Sequence, residues 1–365
     1  MTELPSSDIL RHVVDVHCHP TDSPSITPES IDKLPITICA MSTRERDQIL
    51  VRNLAIAGAS KIIPCFGYHP WFTYYIGLDP TLSREDHYKR LFLDSLKTVR
   101  PEDQVAFDKI LPLLPAPRPL SDVLNEMRRN LIDFPSAMVG EVGLDKSVRV
   151  AYDYDATPRE LTPFNIPLDH QISIIEAQID LAVELGRNVS VHSVHSPQAT
   201  IELLDRLAWK HGDAFYRISV DIHSCSLSPD TWKTIERKHP NIFLSLSKLV
   251  NGRSAAYKAL IAACADDRIL VESDCYDINL CTPLTWDLLK TVAEVKKWDI
   301  ESAWTDSSDP ERWGAVRRIE HSWCRFRDGA HALPSRPSLN QANCEKAVGV
   351  CFASHSGLIY QDMGF

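Results

Sequence analysis

Short runs of apolar and β-branched residues, each bounded by polar or turn-forming positions, recur eight times along the chain. They are HVVDVH from 12, PITICA from 35, KIIPCF from 61, AMVGEV from 137, NVSVHS from 188, ISVDIHS from 218, IFLSLS from 242 and ILVES from 269. Runs of this length and composition predict strands. Between several of them the apolar spacing lengthens to that of a helix. The clearest case is DHQISIIEAQIDLAVELG, where Ile172, Ile175, Ile179 and Ala182 recur at helical spacing before Gly186 stops the helix. Strands alternating with helices predict a parallel sheet, and eight such strands predict a closed (β/α)8 barrel of the TIM type rather than an open sheet.

Three stretches exceed what a minimal barrel needs: residues 72–135, 146–168 and 276–338, all rich in Pro, Asp, Ser or aromatic residues. They are read as insertions that distort one barrel domain spanning 1–365. A barrel carries its chemistry on the loops that follow its strands, so insertions there shape access and choice of partner, a protein partner included. Trp304, Trp313 and Trp323 in the last stretch form either an exposed aromatic surface or the packed face of amphipathic helices.

Composition narrows the function. With 44% hydrophobic and 24% charged residues, the 365-residue chain can bury a large core. A formal net charge of -10 excludes a basic face that clamps duplex nucleic acid irrespective of sequence, though nucleic acid could still enter a local site where bound metals supply positive charge. The ten cysteines include no CxxC pair, and MTELPSSDIL has neither the basic nor the apolar stretch of a secretion signal. Free thiols in a reducing compartment, cytosol or nucleus, are therefore expected. Asn188-Val189-Ser190 fits a glycosylation sequon but opens a predicted buried strand, and is taken as chance. No apolar run approaches the roughly 20 residues that span a bilayer, so no membrane partner is expected.

Candidate chemistry gathers at the strand ends. Asp15-Val16-His17-Cys18-His19 closes the first strand. Residues two apart on a strand point the same way, so His17 and His19 can grip one cation while Asp15 orients a ligand from behind. Glu141 then closes the fourth strand, His192 the fifth, His223 the sixth and Asp274 the eighth. That is the face where barrels do chemistry, and metal ligation explains all of these groups together.

These segments make the chain similar to the TatD-type metal-dependent hydrolases of the amidohydrolase superfamily, with fungal-like large insertions. The resemblance rests on DVHCH, GYHPW at 67–71, GEVGLD at 140–145, the stretch from DHQ to VSVHS, the histidine of VDIHSCS, VESD at 271–274 and NCEKAVG at 343–349. It implies two divalent cations, zinc, magnesium or manganese. His17, His19, Glu141 and Asp274 would surround one, and Glu141, His192 and His223 the other, with Glu141 bridging. It also implies hydrolysis of a phosphodiester in DNA or a nucleotide-like substrate. The metals would lower the pKa of a water toward roughly 7, and Asp274 would take its proton before attack on phosphorus. The same ligands would serve an amide or ester centre, and a catalytically weak barrel could act as a protein-binding module instead.

Other residues carry two readings. His69 in GYHPW is a contact to a substrate phosphate at the rim, or a turn histidine fixed by Pro70 and Trp71. Asp145 supports the site from behind, or caps its loop. Two places after the fifth-strand histidine the family carries a basic residue, where this chain has Val194, and His195 replaces that cation or is a plain loop histidine. Lys248 or Arg253 after the seventh strand restores positive charge at the mouth, or is simply solvated.

Overall fold

The architecture, taken from a computed structural model, is described for residues 3–23, 26–305, 307–329 and 331–333. All eight predicted strands form: β1 (Val14–Cys18), β2 (Thr37–Met41), β3 (Ile62–Phe66), β4 (Met138–Asp145), β5 (Val189–Val194), β6 (Val220–Ile222), β7 (Ile242–Leu246) and β8 (Ile269–Val271). Neighbours pair in parallel and in chain order, with Val220 of β6 facing Val189 of β5 and Ile242 of β7. The remaining gap, between β8 and β1, is drawn together just past the strand ends. Asp274 N donates to His17 O at 3.0 Å, His19 N to Cys275 O at 2.9 Å and Ser273 N to Asp15 Oδ1 at 2.9 Å. The eight-stranded sheet thus comes close to a closed barrel.

Strands covered on both faces bury every side chain, and β4 is buried at all eight positions. Ile38, Val139, Val189, Val220, Ile242 and Ile269 pack outward into a core shared with Ile175, Leu203, Ile235 and Leu289 of the helices. Alternate residues Cys39, Met41, Cys65, Phe243 and Leu270 form a separate cluster with Trp323 and Phe326. The helix predicted before β5 runs Leu168–Leu185 and ends on Gly186 at φ 62°, the left-handed turn that glycine adopts without strain.

Two of the three expected insertions are one structure. Tyr74, Tyr88, Phe92, Phe107 and Ile110 from 72–135 share a satellite core with Val150, Phe164 and Ile166 from 146–168, where Phe92 stacks on Phe164 at 5.2 Å. The helix Leu120–Asp133, within the first stretch, instead buries Val123, Met127 and Leu131 in the main core and belongs to the barrel wall.

Residues 276–338 contribute the wall helices Ile278–Lys296 and Ala315–Asp328, whose Leu288, Leu289, Val292, Val316 and Ile319 lie in the main core. Trp323 is buried in the separate cluster beside Phe326, Trp304 stacks on His12 at 3.4 Å and Trp313 packs against His321 at 5.1 Å, so among the described residues these three tryptophans form no exposed aromatic surface. The chain up to Ala332 is one compact unit, while NCEKAVG at 343–349 lies outside the described residues. Among the described residues no helix is long and apolar enough to cross a membrane.

His170, at the start of the long helix, fastens it to the aromatic turn after β3, its Nε2 lying 2.9 Å from Thr73 O. Burial pushes this imidazole down to about 4. An unfolded histidine titrates near 6.5, so below that pH the unfolded chain takes up a proton that the folded one refuses. This contribution to stability is complete above about pH 6.5 and is lost as the pH falls toward 4, to the extent of about 3 kcal/mol. Urea midpoints at about pH 7 and about pH 5 should therefore diverge less in His170→Gln than in wild type, and equal divergence would refute this account.

Candidate active site

The four histidines, the glutamate and the aspartate singled out at the strand ends converge at one end of the barrel. Glu141 is the hub. Its Oε2 lies 3.2 Å from His19 Nε2 and 3.7 Å from His17 Nε2. Its Oε1 lies 2.7 Å from His223 Nε2, 2.9 Å from His192 Nδ1 and 3.2 Å from His69 Nε2. Asp274 closes the first group, with Oδ1 at 3.4 Å from His19 and 3.9 Å from His17. The two oxygens of one carboxylate thus face two separate sets of ring nitrogens.

These donors lie close enough together to share an ion. His17, His19 and Glu141, or His69, Glu141 and His192, each bring ligand atoms within 4.8 Å of one another, as do His17, His223 and Asp274. The buried atoms His19 Nδ1, His192 Nε2 and His223 Nδ1 have no hydrogen-bond partner. Imidazole nitrogens mixed with carboxylate oxygens suit zinc, manganese or magnesium, so the residues present fit a divalent cation.

Charge is distributed accordingly. Burial opposes ionisation of Glu141, yet His69, His223 and His17 around it hold its carboxyl well below the usual range. Asp274 is also held low, because His19 and the neighbouring imidazoles outweigh its burial. His19 and His223 are raised: burial works against this, but Asp274 and Glu141 at the first and Glu141 at the second prevail. Buried His17 is instead pushed down.

Groups behind the cluster hold it in place. His17 Nδ1 meets Ser190 Oγ at 2.8 Å. Glu272, two residues before Asp274, accepts from Ser224 N at 2.8 Å and Ser224 Oγ at 2.6 Å, and lies 3.7 Å from His223 Nδ1. Ser245 Oγ bonds Glu272 and sits 2.7 Å from buried Asp221. One hydroxyl proton cannot serve two ionised carboxylates. Burial, with Glu272 nearby, pushes Asp221 well up, which supplies the second proton. Neither acid was singled out in the sequence, although Glu272 stands in the VESD motif.

The remaining predicted residues divide. Asp15 reaches no imidazole; its Oδ1 accepts from the backbone of His17 and Ser273, so it braces the seam rather than a ring. Asp145 stands where a supporting group is needed, with Oδ2 at 2.7 Å from Trp71 Nε1 and 3.6 Å from His192 Nε2. His69 is not at the rim but buried against Glu141. Its Nδ1 accepts from Trp71 N at 3.2 Å, which leaves the proton on Nε2 and makes it a donor toward Glu141. His195 is exposed at φ 52° and lines the mouth. Lys248 is drawn away into an ion pair with Asp287 of the wall helix and is not brought to the site, nor is Arg253.

The cluster floors a cavity of about 1030 Å³. Its rim carries the aromatic residues Trp71, Phe72 and Tyr154 and the cations Arg44, Arg46 and Arg159; of these six the sequence singles out Trp71 alone, within GYHPW. The signal for Arg44 and Arg46 was their place in STRER, directly after β2.

A motif glycine sets the spacing of β4 and β5. A Cβ on Gly143 would lie 2.2 Å from His192 O and 2.5 Å from His192 Cβ. Gly143→Ala is expected to cost about 1–3 kcal/mol, typical of an overpacked core, and to weaken metal retention by displacing His192. Gly77→Ala, whose Cβ would meet nothing nearer than 3.5 Å, is the control. Equal urea midpoints and metal contents in the two variants would contradict the steric account.

Comparison with known proteins points the same way. A family model described as TatD related DNase matches residues 14–305. The Cut9-interacting protein scn1 of Schizosaccharomyces pombe is 30% identical over 334 residues, covering 82% of this chain and 97% of that protein. In fold, the chain is similar to the TatD homolog YJJV of Escherichia coli K12, with a TM-score of 0.54 at 14% identity over 87% of this chain and 98% of the other. An uncharacterized amidohydrolase from Saccharomyces cerevisiae aligns with a TM-score of 0.55 at 14% identity, over 86% of this chain and 99% of the other.

Proposed function

The chain belongs to the TatD-related DNase family, and from that premise we propose that it is a metal-dependent phosphodiesterase acting on DNA or a nucleotide-like phosphodiester. The observation that carries this reading is the position of Glu141, whose two oxygens face His17 and His19 on one side and His192 and His223 on the other. Two divalent cations would be held by His17, His19, Glu141 and Asp274, and by Glu141, His192 and His223. When bound, such cations supply Lewis acidity, which activates water and neutralises charge developing on a phosphoryl group.

The protein's own groups do the rest. Asp274, kept ionised by its imidazole neighbours, receives the proton of the attacking water. His69 presents its Nε2 proton toward Glu141 and the cavity floor, where it fixes the carboxylate or meets a substrate oxygen. Glu272 and Asp145 hold His223 and His192 from behind.

The test is the metal content of the purified protein, measured together with hydrolysis of single-stranded DNA, bis(p-nitrophenyl) phosphate, and matched ester and amide substrates. Near two metal equivalents with phosphodiesterase activity support the reading. Metal with acyl hydrolysis alone would reassign the site to a carbon centre, and absence of metal uptake would sink it.

A second reading, docking of a protein partner, is favoured by the name of the fission-yeast relative, which describes it as interacting with Cut9. It is compatible with catalysis, since the satellite core built from 72–119 and 146–168 includes none of the proposed metal ligands. The eight described cysteines are free, which supports a reducing compartment, cytosol or nucleus.

A further inference from the structure

The basic residue expected after the β5 histidine is replaced by Val194, which lines the cavity without charge. Across the same cavity, guanidinium groups stand on the loop after β2. Arg44 lies between two aromatic faces, with Phe72 and Tyr154 each 4.9 Å from its central carbon. A guanidinium packed in this way loses little further entropy when it binds an anion. Arg46 lies beside it, and Arg159 covers the other side of the Tyr154 neighbourhood at 3.9 Å.

Arg44 and Arg46 hold the exposed carboxylate of Asp155 in front, with buried Asp47 behind them at 4.0 Å from Arg44 Nε and 3.6 Å from Arg46 Nε. Asp155, at the tip of a hairpin of the antiparallel strands Arg149–Ala151 and Leu161–Asn165, accepts from Arg44 at 3.0 Å and from Arg46 at 2.8 and 3.3 Å. Arg44 Nε is buried with no hydrogen-bond partner, its nearest acid being Asp47 at 4.0 Å. Even with both carboxylates present, Arg44 Nε stays without a hydrogen-bond partner, so the pair keeps donor capacity in reserve, and a bidentate anion matches its fork. In a chain of net charge -10, a lip with three arginines against Asp22 and Asp155 is a local reversal of sign.

The geometry points to Arg44 and Arg46 as a subsite for a non-scissile phosphate of a nucleotide substrate, with Asp155 as the carboxylate that occupies it until that phosphate arrives. This rests on the phosphodiesterase reading for the scissile group but not for the anion itself. The cation that Val194 removes from one lip is supplied from the opposite lip.

The test uses the full-length, metal-loaded protein and two ligands, thymidine 3′,5′-bisphosphate, which has a second phosphate, and phenyl phosphate, which has none. In equilibrium dialysis, Arg44→Ala is expected to weaken the bisphosphate by about tenfold or more and phenyl phosphate by no more than about twofold. Asp155→Asn should tighten the bisphosphate, because it removes the internal competitor, whereas a merely structural latch would loosen it. Adding Val194→Arg to Arg44→Ala should recover much of the lost affinity. Failure of the metal-loaded wild type to bind the bisphosphate, or equal weakening of both ligands by Arg44→Ala, would overturn the subsite. If wild type hydrolyses no phosphodiester yet its bisphosphate affinity depends on Arg44, the subsite stands and the phosphodiesterase reading falls.

Discussion

Glu141→Gln is expected to abolish turnover and to release metal from both positions at once, although the substitution preserves side-chain volume. The amide replaces a doubly shared anion, one oxygen of which lies within 3.2 Å of three imidazole nitrogens and the other at 3.2 Å from a fourth ring. A bridging carboxylate contributes charge to both cations, so its loss should cost several kcal/mol of transition-state stabilisation, about a thousandfold or more in kcat/KM. Elemental analysis after reconstitution should fall well below the wild-type stoichiometry, and a thermal melt checks that the fold survives. A variant that keeps both equivalents and wild-type kcat/KM would remove Glu141 from the centre of the site.

Asp274→Asn should behave differently. Its oxygen still reaches His19, but the side chain can no longer take a proton, and kcat should drop by about 10²–10⁴-fold. Because Asp274 is also offered as a ligand, part of the loss could come from lower occupancy, and a metal titration separates the two. Excess metal should refill the site without restoring kcat. Recovery of wild-type turnover at saturating metal would assign Asp274 to ligation alone.

The features legible in the sequence were local ones. Each strand announced itself by a few consecutive β-branched or apolar residues, and each proposed ligand by its place at the end of such a run. The αL stop at Gly186 followed from the loss of helical spacing. What stayed hidden depends on partners distant in the chain. Arg44 and Asp155 are 111 residues apart, and nothing in STRER points to a hairpin tip. His69 lies in a turn whose path no periodicity specifies, so its burial against Glu141 was not foreseeable. The wall helix Ile278–Lys296 does carry a helical face in Cys281, Thr285, Leu288 and Val292, but Pro283 near its start disguised it as a loop. Lys248 could be placed only once that helix, which supplies Asp287, was recognised.

The β8–β1 seam lies between residues that would grip a cation. Asp274, a positive-φ residue at 50°, and His17 and His19 are the residues whose backbone bonds bring the last strand to the first. A ligand that binds only the folded state stabilises it in proportion to the logarithm of its concentration over its dissociation constant. A cation held by the proposed ligands on both sides of this seam would therefore act as a clasp as well as a reagent. Chelation should loosen the molecule first along this line, and hydrogen exchange at the amides of His19 and Asp274 should quicken before that of β3 and β7, which carry no proposed ligand.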